Sequence, residues 1–214
     1  VAAPCGRGSG LSDRQVARVG DVSGSERVVM FDLDGGIADL SAFAHFVTGD
    51  SEASRRQAWQ RFFEHIGQAA VIGPGRDVVE AVAGMGFVVV YSTTRPVSCA
   101  EHTRMWLGEN GFPAGRALLC RNHGDHRPAV EVKVGHCRAV GSWLSAFVDD
   151  ESETVDVLRS RGVYAYPFDA LSGIRVRELR ATLSAGKRGP MAVKGVHRYG
   201  APHRRRGTVA HGAR

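Results

Sequence analysis

Residues 28–36 read Val-Val-Met-Phe-Asp-Leu-Asp-Gly-Gly. A short apolar run of this kind reads as a buried strand. It ends in two carboxylates, which are costly to desolvate unless a partner compensates them, usually a metal. Asp32 and Asp34 therefore read as chemistry. In an extended chain the residue at i+2 lies on the same side. Asp32 can then attack phosphorus to form an aspartyl-phosphate. Asp34 can protonate the leaving oxygen and afterwards deprotonate the attacking water. Thr93 and Lys133 have the right functional groups to hold phosphoryl oxygens and offset developing charge. Asp149 and Asp150 add two further acids. Two like charges about 4 Å apart repel by about 4 kcal/mol at an effective dielectric of about 20. Four converging carboxylates thus require a cation, and oxygen-only ligands select a hard ion, Mg²⁺ beside a phosphate.

Each group also has a bland reading. Asp-x-Asp-Gly fits a turn, Asp149-Asp150 fits a helix cap, and a single lysine fits a solvated surface. Their order along the chain argues against the bland set. Strands are expected at 28–31, 87–91, 116–120, 146–148 and 163–166. Helices are expected at 76–84, 97–109, 132–143 and 152–161. Residues 40–70 look mainly helical, with Trp59, Phe62, Phe63 and Ile66 recurring at helical spacing as a core or cap face. The alternation predicts an α/β fold, a parallel sheet wrapped by helices. In such a sheet ligands bind beyond the carboxyl ends of the strands. The acids, hydroxyls and bases above all fall at strand exits or helix starts, with Arg95, Arg121, Asp125 and Arg127 among them.

Composition bounds the rest. The chain has 214 residues, 43% hydrophobic and 23% charged, enough for one domain with a real core. No run approaches the ~18 apolar residues of a membrane helix, and the start lacks a signal-peptide layout, which together favour the cytoplasm. The four cysteines form no Cys-x-x-Cys pair, and Cys99, Cys120 and Cys137 read as small core residues. The segment Gly-Arg-Gly-Ser-Gly-Leu-Ser lacks the lysine of a phosphate-binding loop. The net charge of +6 sits in the tail: residues 187–214 hold eight Lys or Arg and no acid, which leaves −2 for the remainder. That tail, with Arg204-Arg205-Arg206, fits either polyanion contact or a solvated end.

The motifs together resemble the haloacid dehalogenase (HAD) superfamily of phosphohydrolases. Phe-Asp-Leu-Asp-Gly-Gly-Ile-Ala-Asp is similar to its first motif, Tyr-Ser-Thr-Thr to its second, Lys133 to its third and Phe-Val-Asp-Asp to its fourth. The resemblance implies a three-layer Rossmann-like fold, a doubly wound parallel sheet over 27–170 with a small helical cap at about 40–73. Outside it, residues 1–26, rich in Gly, Ser and Arg with no sustained period, read as a flexible segment, and 171–214 as a C-terminal helix with a disordered basic tail. The resemblance assigns catalysis to Asp32, Asp34, Thr93 and Lys133. The Mg²⁺ ligands would be Asp32, Asp34, Asp149 and Asp150. The order Arg121, Gly124, Asp125, Arg127, Lys133 is similar to the phosphatase domain of phage-type polynucleotide kinase/phosphatases. That likeness implies removal of 3′-phosphates from nucleic-acid ends. Arg95, Arg121 and Arg127 would then meet the substrate, with Asp125 orienting an arginine. Gly36 stands where the superfamily usually carries Thr or Val, which would loosen the nucleophile loop. Three functions remain open on these residues: a nucleic-acid 3′-phosphatase, a phosphatase of free nucleotides or small phosphoesters, and a non-catalytic nucleic-acid binder on a degraded fold.

Overall fold

The structure is a computed structural model that describes residues 26–47 and 52–185. The expected flexible start and basic tail lie outside the described residues, save for the helix at the C-terminal side.

β1 (Val28–Asp32) is buried along its whole length, which only a central strand covered on both faces can be. It pairs in parallel with β4 (Val88–Pro96), Asp32 opposite Ser92, and with β6 (Leu144–Asp149), Met30 opposite Phe147. β5 (Ala117–Arg121) and β7 (Ala165–Pro167) flank these, giving the order β5-β4-β1-β6-β7. The chain leaves β1 toward β4 and β5, then crosses back to β6 and β7. The reversal opens a crevice at the exits of β1 and β6, the place where such sheets bind ligands.

The period of two along β1 divides the core. Val29 and Phe31 pack with Val79 and Val82 of α2 (Gly73–Gly84), Trp106 of α3 (Ala100–Glu109) and Leu179 of α7 (Val176–Ser184). Val28 and Met30 pack on the other face with Cys137 of α4 (Ala129–Val140) and Leu158 of α5 (Ser152–Ser160). A four-residue α6 (Phe168–Leu171) follows β7.

All five expected strands form, and the boundaries move for local reasons. α4 begins and ends three residues earlier than expected. Pro128 fixes the entry, and Gly141, at φ +62°, ends the helix where an L side chain would be strained. α2 gains a turn because Pro74 suits the first turn of a helix.

The segment expected as a cap is tied in by a two-stranded antiparallel ribbon of β2 (Ala38–Asp39) and β3 (Ala70–Val71). Between them lie a 3₁₀ turn (Ser41–Phe46), α1 (Glu52–Glu64) and a second 3₁₀ turn (Ile66–Gln68). Trp106 is buried and donates its indole N–H to Ala69 O at 2.9 Å, which anchors this insertion to α3. The aromatic stripe is split. Ile66 is buried and Phe62 packs on the core, whereas Trp59 is 45% exposed, with its ring 5.5 Å from that of Phe63. Among the described residues, no helix is long and apolar enough to cross a membrane.

Candidate active site

Three buried charges meet at the crevice. Lys133, in the second turn of α4, places its ammonium 3.2 Å from Asp32 Oδ1 and 2.8 Å from Asp149 Oδ2. All three side chains are buried, so each depends on the others for its charge. Burial pushes the Asp32 carboxyl well above its usual range. Lys133 opposes that shift, and Asp149, Asp34 and Asp150 add to it. Burial likewise raises Asp149 against the pull of Lys133. Burial works against the Lys133 charge, but Asp32 and Asp149 outweigh it and hold the ammonium protonated.

Oxygens of Asp32, Asp149 and the exposed Asp150 lie within 4.8 Å of one another. Asp149 Oδ1 accepts the Glu151 amide at 3.0 Å. Asp149 Oδ2 is buried and faces the Lys133 ammonium at 2.8 Å. Three carboxylates brought this close, with oxygen donors alone, suit a hard divalent cation. Asp32, Asp149 and Asp150 thus fit Mg²⁺.

Asp34 differs from its sequence-based assignment as a metal ligand. Its carboxylate lies outside this group and is gripped by Arg95, whose Nη2 reaches Asp34 Oδ1 at 2.6 Å and whose Nε lies 3.1 Å from each oxygen. Arg95 also donates to Thr103 Oγ1 at 3.2 Å and is 0% exposed. A guanidinium engaged and buried in this way cannot meet a substrate, so Arg95 orients Asp34 instead. Asp34 remains 34% exposed.

Thr93 lies one residue beyond Ser92, the neighbour of Asp32 across the sheet. Its Oγ1 accepts the Arg95 amide at 3.1 Å, and a hydroxyl that accepts still has a proton to give.

Arg121 turns to the backbone. Nε donates to Thr94 O at 3.2 Å, and Nη1 donates to Asp125 O at 3.1 Å and Arg127 O at 2.6 Å. Of the three arginines expected at the substrate, Arg127 is the exposed one. Asp125 holds Arg127 in a two-pronged pair at 2.9 and 2.6 Å. That hydrogen bonding keeps the Asp125 carboxyl far below the usual range.

At Gly36 the space for a side chain is already taken. A Cβ there would meet Phe168 Cε2 at 2.1 Å, so the ring of Phe168 occupies the space a Thr or Val would take. Gly35, at φ +82°, lies against the Asp150 carboxylate, where a Cβ would come within 2.0 Å of Oδ2. Sequence reasoning missed Phe168, since nothing local ties it to a loop over a hundred residues away. It also left His136 unassigned, although His136 lies one helical turn after Lys133 on the sheet-facing side of α4. Burial pushes the Cys120 and Cys137 thiols up to about 12, which makes them inert packing residues.

Comparison with family models gives no match, and neither does comparison with curated proteins. Solved structures do match. A haloacid dehalogenase-like hydrolase from Bacteroides fragilis superposes with TM-score 0.51 and 13% identity, over 73% of this chain and 93% of that one. The chain has the HAD-like fold. A chain of the Pnkp1/Rnl/Hen1 RNA repair complex also superposes, with TM-score 0.51 and 19% identity, over 69% of this chain. This HAD-like chain spans only 44% of the length of that RNA repair chain. On the HAD-like sheet, Asp32 and Asp149 end β1 and β6, Thr93 lies in β4 just past its ladder with β1, and Lys133 is on α4.

Proposed function

We propose that this chain is a phosphomonoesterase that uses Asp32 as nucleophile, with a phosphorylated nucleic-acid 3′ end as substrate. The observation that carries the reading is the buried meeting of Asp32, Lys133 and Asp149, with Asp150 at its rim. Burying three charges at strand exits is costly, and a purely structural role is served better by apolar packing.

Asp32 Oδ attacks phosphorus, the new O–P bond forms, and the bond to the leaving oxygen breaks. Asp34 delivers a proton to that oxygen, then takes one from the water that cleaves the aspartyl-phosphate. The Arg95 fork fixes the direction of Asp34, and its partial exposure leaves it within reach of a leaving group. Lys133 and Thr93 hold phosphoryl oxygens through both steps. Mg²⁺ held by Asp32, Asp149 and Asp150 would neutralise their repulsion and stabilise the charge of the transferring group.

The nucleic-acid substrate is supported by the ordered Arg121, Asp125, Arg127 and Lys133 element, and by the fold likeness to a chain of an RNA repair complex. One observation favours free nucleotides or small phosphoesters instead. Arg95 and Arg121 are committed within the protein, which leaves Arg127 as the exposed arginine of the three. The packed Gly36 loop removes one motive for a degraded, non-catalytic fold.

The deciding assay compares a 3′-phosphorylated oligonucleotide, the matching 3′-nucleoside monophosphate and p-nitrophenyl phosphate, each with Mg²⁺ and with a chelator. Faster, Mg²⁺-dependent turnover of the oligonucleotide is expected. Equal rates on all three would remove the nucleic-acid assignment, and no turnover in any would remove the phosphatase reading.

A further inference from the structure

The ladder between β4 and β5 breaks beside the site. Ser92 pairs with Leu119 and Pro96 with Arg121, so Thr93, Thr94 and Arg95 stand opposite the single residue Cys120. A bulge of this size re-aims side chains, and backbone groups within it need other partners.

Side chains supply them from both strands' sides. Arg121 Nε donates to Thr94 O at 3.2 Å. His136, from α4, sets Nε2 3.3 Å from Cys120 O and Nδ1 2.9 Å from Ser92 Oγ. A carbonyl can only accept, so Nε2 carries the proton. The neutral ring then accepts at Nδ1 from the Ser92 hydroxyl. Burial holds the ring neutral, lowering its pKa to about 4. One imidazole thus ties α4 to Ser92, the residue before Thr93 on β4, and to Cys120 of β5 across the bulge.

We propose that His136 is a positioning residue that bridges β4 and β5 across this bulge, so that Thr93 is presented one residue beyond the position facing Asp32. The role rests on the phosphatase reading of Asp32 and Thr93. Losing the tie would let the bulge relax, and a displacement of about 1 Å at a reacting group can cost about a hundredfold in rate.

The test uses the full chain with p-nitrophenyl phosphate and Mg²⁺. His136→Ala should lower kcat about tenfold to a hundredfold, with KM changing less than about twofold. His136→Gln keeps a donor for Cys120 O and should recover most of that loss. In a double-mutant cycle, His136→Ala should add little to Thr93→Ala, because both act on the same hydroxyl. Losses that multiply, a silent His136→Ala, or a Gln variant no better than Ala would each overturn the role. If the Ala variant does not fold, ¹⁵N spectra of the wild-type imidazole at pH 7 decide. A neutral ring protonated at Nε2 supports the arrangement, and the opposite tautomer or a charged ring overturns it. A wild-type chain inactive on this substrate ends the phosphatase reading and this role together, and the tautomer then still tells whether the imidazole bridges the bulge.

Discussion

At the residue scale the chain places one lysine between two buried carboxylates. Removing one partner from such a group leaves an unpaired buried charge, which typically costs about 3–5 kcal/mol. Lys133→Ala should destabilise the metal-free protein by an amount of that order. Mg²⁺ should return part of it, because the ion would compensate the same carboxylates. Urea unfolding with and without Mg²⁺ measures both effects. Asp32→Asn should abolish turnover while leaving far-UV circular dichroism intact; retained hydrolysis would take the nucleophile's role away from Asp32. Arg95→Lys loses the planar fork that grips Asp34. Its kcat should fall about tenfold or more with little change in KM, since Asp34 acts in the chemical step rather than in binding.

At the element scale the nucleophile loop and α6 share one packing problem. A side chain at Gly36 overlaps Phe168. Gly36→Val should destabilise by about 1–3 kcal/mol, the usual cost of overpacking. Phe168→Ala in the same chain should relieve most of it, a coupling that thermal unfolding of the four variants would reveal. The β4–β5 bulge sets a pH dependence as well. Burial lowers His136 from its ordinary 6.5 to about 4, with Arg127 and Arg121 opposing its charge and Asp125 favouring it. The unfolded chain then binds more protons between those two values, so this contribution to stability is full above about pH 6.5 and is lost as pH falls toward 4. The span is worth up to roughly 3 kcal/mol. Denaturant titrations across that range should show stability rising with pH in the wild type and a flatter profile in His136→Gln.

At the scale of the whole molecule, charge is divided between a faintly acidic body and a basic tail. Deleting residues 187–214 should raise KM for a 3′-phosphorylated oligonucleotide and leave p-nitrophenyl phosphate unaffected. The difference between full and shortened chains should shrink as salt is added, because cation release drives such contacts. If both substrates suffer alike, the tail has a structural role.

The architecture was legible from periodicity. Five apolar runs separated by helical segments leave few arrangements other than a wound parallel sheet, and both faces of β1 are buried as a continuous apolar run requires. The sequence by itself also determined which residue types stand at strand exits, since a carboxylate directly after a buried run can lie nowhere else. Partnership was beyond it. Arg95 and Asp34 are 61 residues apart, and a local motif carries no record of which carboxylate a guanidinium will find. The same holds for Phe168 against Gly36, and for His136 across Ser92 and Cys120. Those pairings are fixed only when packed helices and a bulged ladder bring distant positions within a few ångströms, where sterics and charge choose among candidates that spacing alone leaves equivalent.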